Sequence, residues 1–278
     1  MLAELHSHTL YSKGTKVLYE GLNSPEEMVR HTKRIGLDAI AITDHDEIKG
    51  TKNAKSLSRK YGILVIPGEE VSTAEGHLVA LGINELIKPK LSVDETLDIV
   101  HEQGGIGIAA HPFAFSRRCL GSFSRKCDAM EVFNALSLER IANIKNSYFA
   151  KKYNIPKIAG SDAHCVSMIG YGITDIRASG LDDVLKAIKK GKTNVIGKYP
   201  PTHVIMDWSV SRLKLSYAYV IDYMNKNYNW PKRTIGRKLL SLVEKSPGNI
   251  DYLFRMVAYM SLGSTVVYSA LRQVLGVK

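Results

Sequence analysis

Short apolar, β-branched runs recur through the first 197 residues, with helical patterns in several of the gaps between them. The candidate strands are "LAEL", "DAIAIT", "ILVIP", "HLVALGI", "GIGIAA", "AMEVF", "PKIAG" and "TNVIG". This alternation is the mark of repeated βα units built around a parallel sheet or barrel. In "SPEEMVRHTKRIG", Ser24 is a helix N-cap, Pro25 suits the first helical position, Glu27 completes a capping box and Gly36 is a stop. "SVDETLDIVHEQGG" repeats the signals with Ser92, Glu95 and Gly104, and "SLERIANIKNSYFAKKYN" and "LDDVLKAIKKGK" read as two more helices. At "GKYPPTH" the style changes: Pro200 and Pro201 break the chain and no strand pattern follows. The expected division is a barrel over residues 1–197 and a helical appendage over 198–278, with helical stretches near 204–228, 232–245 and 249–274.

Charge follows the same division. The chain has 38 Lys and Arg against 27 Asp and Glu, a net +11, and residues 198–278 alone hold 12 basic against 4 acidic residues, or +8. A basic segment, including "PKRTIGRK", leaves a nucleic-acid partner open, although a solvated helix face explains it as well and the aromatics of a single-strand stacking platform are not interleaved with it. Residues 256–271 carry no charge but are too few to span a bilayer, so a buried helix or an oligomeric contact is expected there rather than a membrane span. The cysteines Cys119, Cys127 and Cys165 are odd in number and lack a CxxC pair, and no secretory leader pattern opens the sequence. Reduced thiols and a cytoplasmic location are the expectation, with Cys165 a small buried thiol.

Histidines carry the functional signal. In "AELHSHTLYSKGTK", His6 and His8 stand two apart at the end of a strand, so their imidazoles share a face and form a chelate that needs further ligands. Candidates lie at later strand junctions: Asp44, His45 and Asp46 in "AITDHDEIKG", Glu69 or Glu70 and then His77 in "VIPGEEVSTAEGHLVALG", His111 in "GIAAHP", and Asp162 and His164 in "IAGSDAH". Six of the nine histidines fall at such positions. In a parallel barrel these ends converge on one face, which predicts a polynuclear metal site. His31, His101 and His203 sit within or beside helices and read as surface or packing residues.

Laid out in order, "HSHT", "TDHD", "GEEVS", "GH", "AHP" and "GSDAH" resemble the PHP (polymerase and histidinol phosphatase) family of metal-dependent phosphoesterases over residues 1 to about 197. The resemblance implies a distorted (β/α)7 barrel, an α/β fold, with up to three divalent metals at its C-terminal face. It implies His6, His8, Asp162 and a bridging glutamate at one metal, that glutamate with His77 and His111 at a second, and His45 and His164 at a third. The family pattern G-x-E-apolar-S/T matches Gly68, Glu70, Val71 and Ser72, making Glu70 the bridge and Glu69 the fallback.

One position departs from the pattern. Family phosphoesterases commonly carry an aspartate five residues after the second histidine, where this chain has Lys13. Three outcomes are open: only two metals bind, Asp44 or Asp46 serves as ligand, or Lys13 replaces the third metal's charge against a substrate phosphate. The preferred reading is the last, with a two-metal centre and a third metal left open. Histidine and carboxylate ligands without thiolate suit Zn²⁺, Mn²⁺ or Fe²⁺. The implied reaction is hydrolysis of a phosphate ester by a metal-bridging hydroxide, on a small phosphorylated metabolite, a nucleotide or a short oligonucleotide. Arg117 and Arg118 are candidate phosphate clamps. The alternative is a non-catalytic nucleic-acid-binding subunit on the same fold.

Overall fold

Small and large apolar residues alternate along "AIAI" at 39–42, and the fold sends them opposite ways. Ala39 and Ala41 face a core enclosed by the sheet, with Ala3, Val79 and Ile108, whereas Ile40 and Ile42 pack outward with the helix residues Met28, Val29 and Leu57. Both faces are buried, so the strand reads as a continuous apolar run. The computed structural model describes residues 1–115, 118–137 and 139–246, with scattered positions from 251 to 271.

Among the described residues nine strands form one sheet: β1 (Leu2–Glu4), β2 (Ala39–Ile42), β3 (Leu64–Ser72), β4 (His77–Leu81), β5 (Ile106–Ala109), β6 (Ala129–Asn134), β7 (Lys157–Gly160), β8 (Gly172–Ile176) and β9 (Thr193–Gly197). Their order is β7-β6-β5-β4-β3-β2-β1-β8-β9. β1, β2 and β3 are mutually parallel, as are β5, β6 and β7. β4 runs against both its neighbours, and β8 runs against β1 and β9.

The sheet curls until its ends meet, giving a nearly closed, distorted barrel. At the end where the parallel strands finish, Ser7 and Ala163 form a parallel bridge, with His8 N donating to Ala163 O at 2.8 Å and Ala163 N to His6 O at 3.2 Å. Lower down, β8 wedges between β1 and β7, and hydroxyls replace the backbone ladder. Thr174 Oγ1 accepts from Ala159 N at 2.9 Å and donates to Ala159 O at 3.0 Å, while Ser161 Oγ accepts from Gly172 N at 2.8 Å. The approach is so close that a Cβ on Gly172 would lie 2.1 Å from Gly160 O.

The helices are α1 (Pro25–Arg34), α2 (Ala54–Tyr61), α3 (Val93–Glu102), α4 (Ile141–Tyr153), α5 (Leu181–Lys189), α6 (Thr202–Leu215), α7 (Tyr217–Asn227) and α8 (Trp230–Glu244). Both expected capping boxes form, Ser24 with Glu27 on α1 and Ser92 with Glu95 on α3. Val184, Leu185 and Ile188 of α5 join the core inside the sheet. β8 and α2 are elements the sequence pattern missed, and the stretch read as one helix over 204–228 breaks at Ser216 into α6 and α7. The expected helix over 249–274 lies largely outside the described residues. No helix among the described residues is long and apolar enough to cross a membrane.

α6 is packed onto the barrel: Val204 and Trp208 join the cluster that holds α1 and α2. α7 and α8 share a small core of their own through Val220, Met224, Leu240 and Val243.

Candidate metal centre

The site is assembled at the end of the barrel where the parallel strands terminate. His6 and His8 follow β1, His45 follows β2, His111 follows β5, and Asp162 and His164 follow β7. Glu70 lies within the outer part of β3. His77 is the first residue of its strand, yet β4 is antiparallel, so its start lies at the same end as its neighbours' finish. Strand alternation separates the two glutamates: Glu70 turns to the histidines, whereas Glu69 is buried elsewhere and accepts from Ile87 N at 3.0 Å. Burial raises the Glu69 carboxyl to about 8. Asp162 and His111 hold positive φ of 53° and 30°, a conformation that L-residues adopt only where the surroundings enforce it.

Glu70 stands at the centre. Its Oε2 is 3.3 Å from both His6 Nε2 and His8 Nε2 and 3.0 Å from His45 Nδ1; its Oε1 is 2.9 Å from His77 Nδ1 and 3.0 Å from His111 Nε2. Asp162 Oδ1 closes the first group, 3.6 Å from His6 Nε2 and 3.2 Å from His8 Nε2. His8, His45 and His164 bring one ligand atom each within 4.8 Å of one another, as do His6, His8 and Glu70, and His45, Glu70 and His77. All eight residues expected as ligands therefore meet in one cluster.

Outer contacts orient the rings. Glu131 Oε1 lies 3.1 Å from His6 Nδ1, and its Oε2 accepts from His111 N at 2.8 Å and Asn134 Nδ2 at 2.9 Å. His164 Nδ1 is 2.8 Å from Asp162 O. A carboxylate or carbonyl oxygen only accepts, so each Nδ1 carries a proton and each Nε2 is turned to the centre. Burial alone would lower His6, but Asp162, Glu131 and Glu70 hold its pKa well above the ordinary imidazole value. Burial would likewise raise Glu70, and His45, His77 and His6 hold it well below the carboxylate range. Burial and the neighbouring His8 push His164 down to about 3.

The donor set fits divalent cations. His45 Nδ1, Glu70 Oε2, both ring nitrogens of His77 and His111 Nδ1 are buried with no hydrogen-bond partner. Buried polar atoms left without a hydrogen bond and concentrated in one cluster are costly unless a cation takes up their lone pairs.

Two contributors escaped the sequence reading. Glu131 is fully buried within the apolar strand β6, and a lone carboxylate inside "AMEVF" was the available signal. Glu20 belongs to an irregular loop with no such signal. Its Oε2 lies 3.3 Å from His45 Nε2 and 3.9 Å from His164 Nε2, and although burial would raise it, His45 and then His164 bring it down to about 2. Asp44 is turned away to Thr9, accepting from its N at 2.6 Å and its Oγ1 at 2.7 Å, and Asp46 accepts from Ser72 N at 2.7 Å.

A cleft of about 630 Å³ opens over the cluster. Lys13, Lys90 and Arg118 line it together with Leu136 and Trp208, and Lys13 is exposed. Arg117 lies outside the described residues.

Comparison with known proteins gives the following. The family model described as PHP domain matches residues 4–119, and that described as PHP-associated matches residues 140–193. The uncharacterized protein MJ1587 of Methanocaldococcus jannaschii is 38% identical over 149 residues, covering 51% of this chain and 87% of that protein. A second protein of that organism, the uncharacterized MJ0417, is 30% identical over 182 residues, covering 61% and 68% respectively. The crystal structure of PsfC from Pseudomonas syringae PB-5123 superposes with a TM-score of 0.57 at 18% identity, covering 77% of this chain and 98% of that one, which shows a shared fold alone.

Proposed function

The chain belongs to the PHP-domain family, and from that premise we propose that it is a metal-dependent phosphoesterase acting on a small phosphorylated molecule, a nucleotide or the end of a short oligonucleotide. The observation that carries this reading is Glu70, whose two oxygens are shared between His6, His8 and His45 on one side and His77 and His111 on the other. His6, His8, Asp162 and Glu70 would hold one divalent cation, Glu70, His77 and His111 a second, and His45 and His164 belong to a third position. Zn²⁺, Mn²⁺ and Fe²⁺ all suit these donors.

Bound divalent cations would supply Lewis-acid charge to a phosphoryl oxygen and acidify an attacking water. The chain's own residues provide the frame for that chemistry. Glu131 and Asn134 fix His6 and Asp162 from behind, so the ligands need not reorganise when substrate arrives. Lys13 and Arg118 on the cleft wall are suited to phosphate oxygens, with Lys90 a further cation beside them. Leu136 and Trp208 give the wall an apolar part that limits water at the reacting end. The cleft's size suits a small ligand, since such pockets span roughly 300–1,000 Å³. In this reading residues 1–197 are the catalytic barrel and residues 198–278 a basic C-terminal region, of which Trp208 on α6 reaches the cleft.

The test is elemental analysis of the purified chain together with hydrolysis of a panel of phosphomonoesters and phosphodiesters. At least two divalent metals per chain are expected, with turnover abolished by a chelator and by His6→Ala. Activity indifferent to both would end the proposal. Metal without turnover of any ester, combined with oligonucleotide binding, would favour a non-catalytic subunit.

A further inference from the structure

The loop between β1 and α1 turns back on itself. Gly14 N donates to Val17 O at 3.1 Å, and Glu20 N donates to Ser12 O at 3.0 Å. Residue 20 therefore stands beside residues 12 and 13, although it is far from His8 in sequence. Ser12 Oγ is itself 3.0 Å from His8 Nδ1 and accepts from His45 N at 3.1 Å, which ties the base of the turn to the cluster. The Glu20 side chain lies over Gly14, where a Cβ would sit 2.1 Å from Oε1 and displace the carboxylate.

The C-terminal helices hold the turn from outside. Trp208 Nε1 on α6 donates to Glu20 O at 2.8 Å, Ser216 Oγ accepts from Tyr19 N at 3.2 Å, and Tyr219 OH on α7 donates to Thr15 O at 3.2 Å. The Trp208 ring also lies against His164, with centroids 4.8 Å apart. These three contacts, all to backbone atoms, fix the course of the loop from which the Glu20 side chain reaches His45 and His164.

We infer that Glu20 is the carboxylate ligand of a third divalent cation, shared with His45 and His164, and that α6 and α7 are the positioning device that delivers it. The inference rests on the metal-centre reading above and names the chain's own substitute for a ligand that Lys13 cannot supply while protonated. The appendage thereby gains a role in the centre, since a loop restrained by two helices loses less freedom when its carboxylate is immobilised. Lys13, exposed on the same turn, is left to line the cleft.

The test is equilibrium dialysis of the full chain, stripped of metal, against Mn²⁺, alongside circular dichroism to confirm folding. Three bound Mn²⁺ are expected for the wild type and two for Glu20→Gln, with the two tighter sites within about threefold of wild-type affinity. Trp208→Phe keeps an aromatic side chain, though a smaller one, and removes the N–H; it should weaken the third site about tenfold and spare the others, the range seen for outer-shell partners. Lys13→Ala should leave all three sites intact. Equal stoichiometry for the wild type and Glu20→Gln would overturn the ligand assignment, as would parallel weakening of every site. An unchanged third site in Trp208→Phe would overturn the positioning role. If this pattern holds while no phosphate ester is hydrolysed, the phosphoesterase proposal falls and the inference stands; fewer than two Mn²⁺ on the wild type would sink both.

Discussion

Replacing Glu131 with glutamine tests whether the centre is organised from behind. The carboxylate accepts from three nitrogens at once: His6 Nδ1 at 3.1 Å, His111 N at 2.8 Å and Asn134 Nδ2 at 2.9 Å. Glutamine has the same shape but only one accepting oxygen. If its NH₂ faces His6, the imidazole must move its proton to Nε2 and the lone pair that faces Glu70 and Asp162 is lost. If its NH₂ instead faces His111 N and Asn134, donors meet donors in a buried site. Either arrangement weakens one ligand without removing it. Loss of an outer-shell partner typically lowers metal affinity 10- to 100-fold, which corresponds to about 1.4–2.7 kcal/mol. A competition titration with a chromophoric chelator, using Zn²⁺ on the full chain, measures the change, and phosphoester turnover should fall in step. Affinity within threefold of wild type would refute the reasoning, because His6 would then need no partner at Nδ1.

Ile40 is fully buried between sheet and helices, so Ile40→Ala should destabilise the chain by about 2–5 kcal/mol in urea unfolding, whereas the same change at the exposed Ile144 should stay within about 0.5 kcal/mol. Gly172→Ala should be destabilising by about 1–3 kcal/mol, because its Cβ would meet Gly160 O, while Gly180→Ala has open space and should be nearly neutral by thermal melting. Burial would raise the Asp128 carboxyl, but His101, Gly107 N–H and Lys189 bring it below its ordinary value. Its contribution to stability is therefore present above the unfolded carboxylate pKa and lost as the pH falls through the lowered folded value. Urea midpoints taken from neutral to acid pH should fall less steeply for Asp128→Asn; parallel curves would contradict this.

The histidine motifs were legible because their chemistry is local: two imidazoles at i and i+2 of a strand must share a face, and strand ends must converge if the sheet closes. Glu70 over Glu69 was settled by the family pattern and agrees with strand alternation, which turns one carboxylate to the cluster and the other toward Ile87 N. Glu20 was not legible, because an irregular turn has no period and its position depends on helices some 190 residues away, as the contact with Trp208 shows. β8 was missed because Thr174 and Asp175 interrupt its apolar run, and Thr174 is there to bond β7 rather than to fill a core. α2 is a short polar helix whose buried contribution is Ala54 and Leu57, too little to give a periodic signal. At the break, the Ser216 hydroxyl accepts from Tyr19 N at 3.2 Å, a tertiary contact that no periodicity signals. The antiparallel course of β4 had a trace in the sequence: His77 opens its strand, whereas the other junction histidines come after theirs.

The bridge between Ser7 and Ala163 has a mechanical meaning. It is flanked by His6 and His8 on one side and by Asp162 and His164 on the other, so any ion gripped by both pairs acts as a rivet across the seam where the cylinder was rolled shut. Occupancy and architectural integrity are then two readings of one equilibrium, and loss of ions would loosen this joint before it disturbed the far wall.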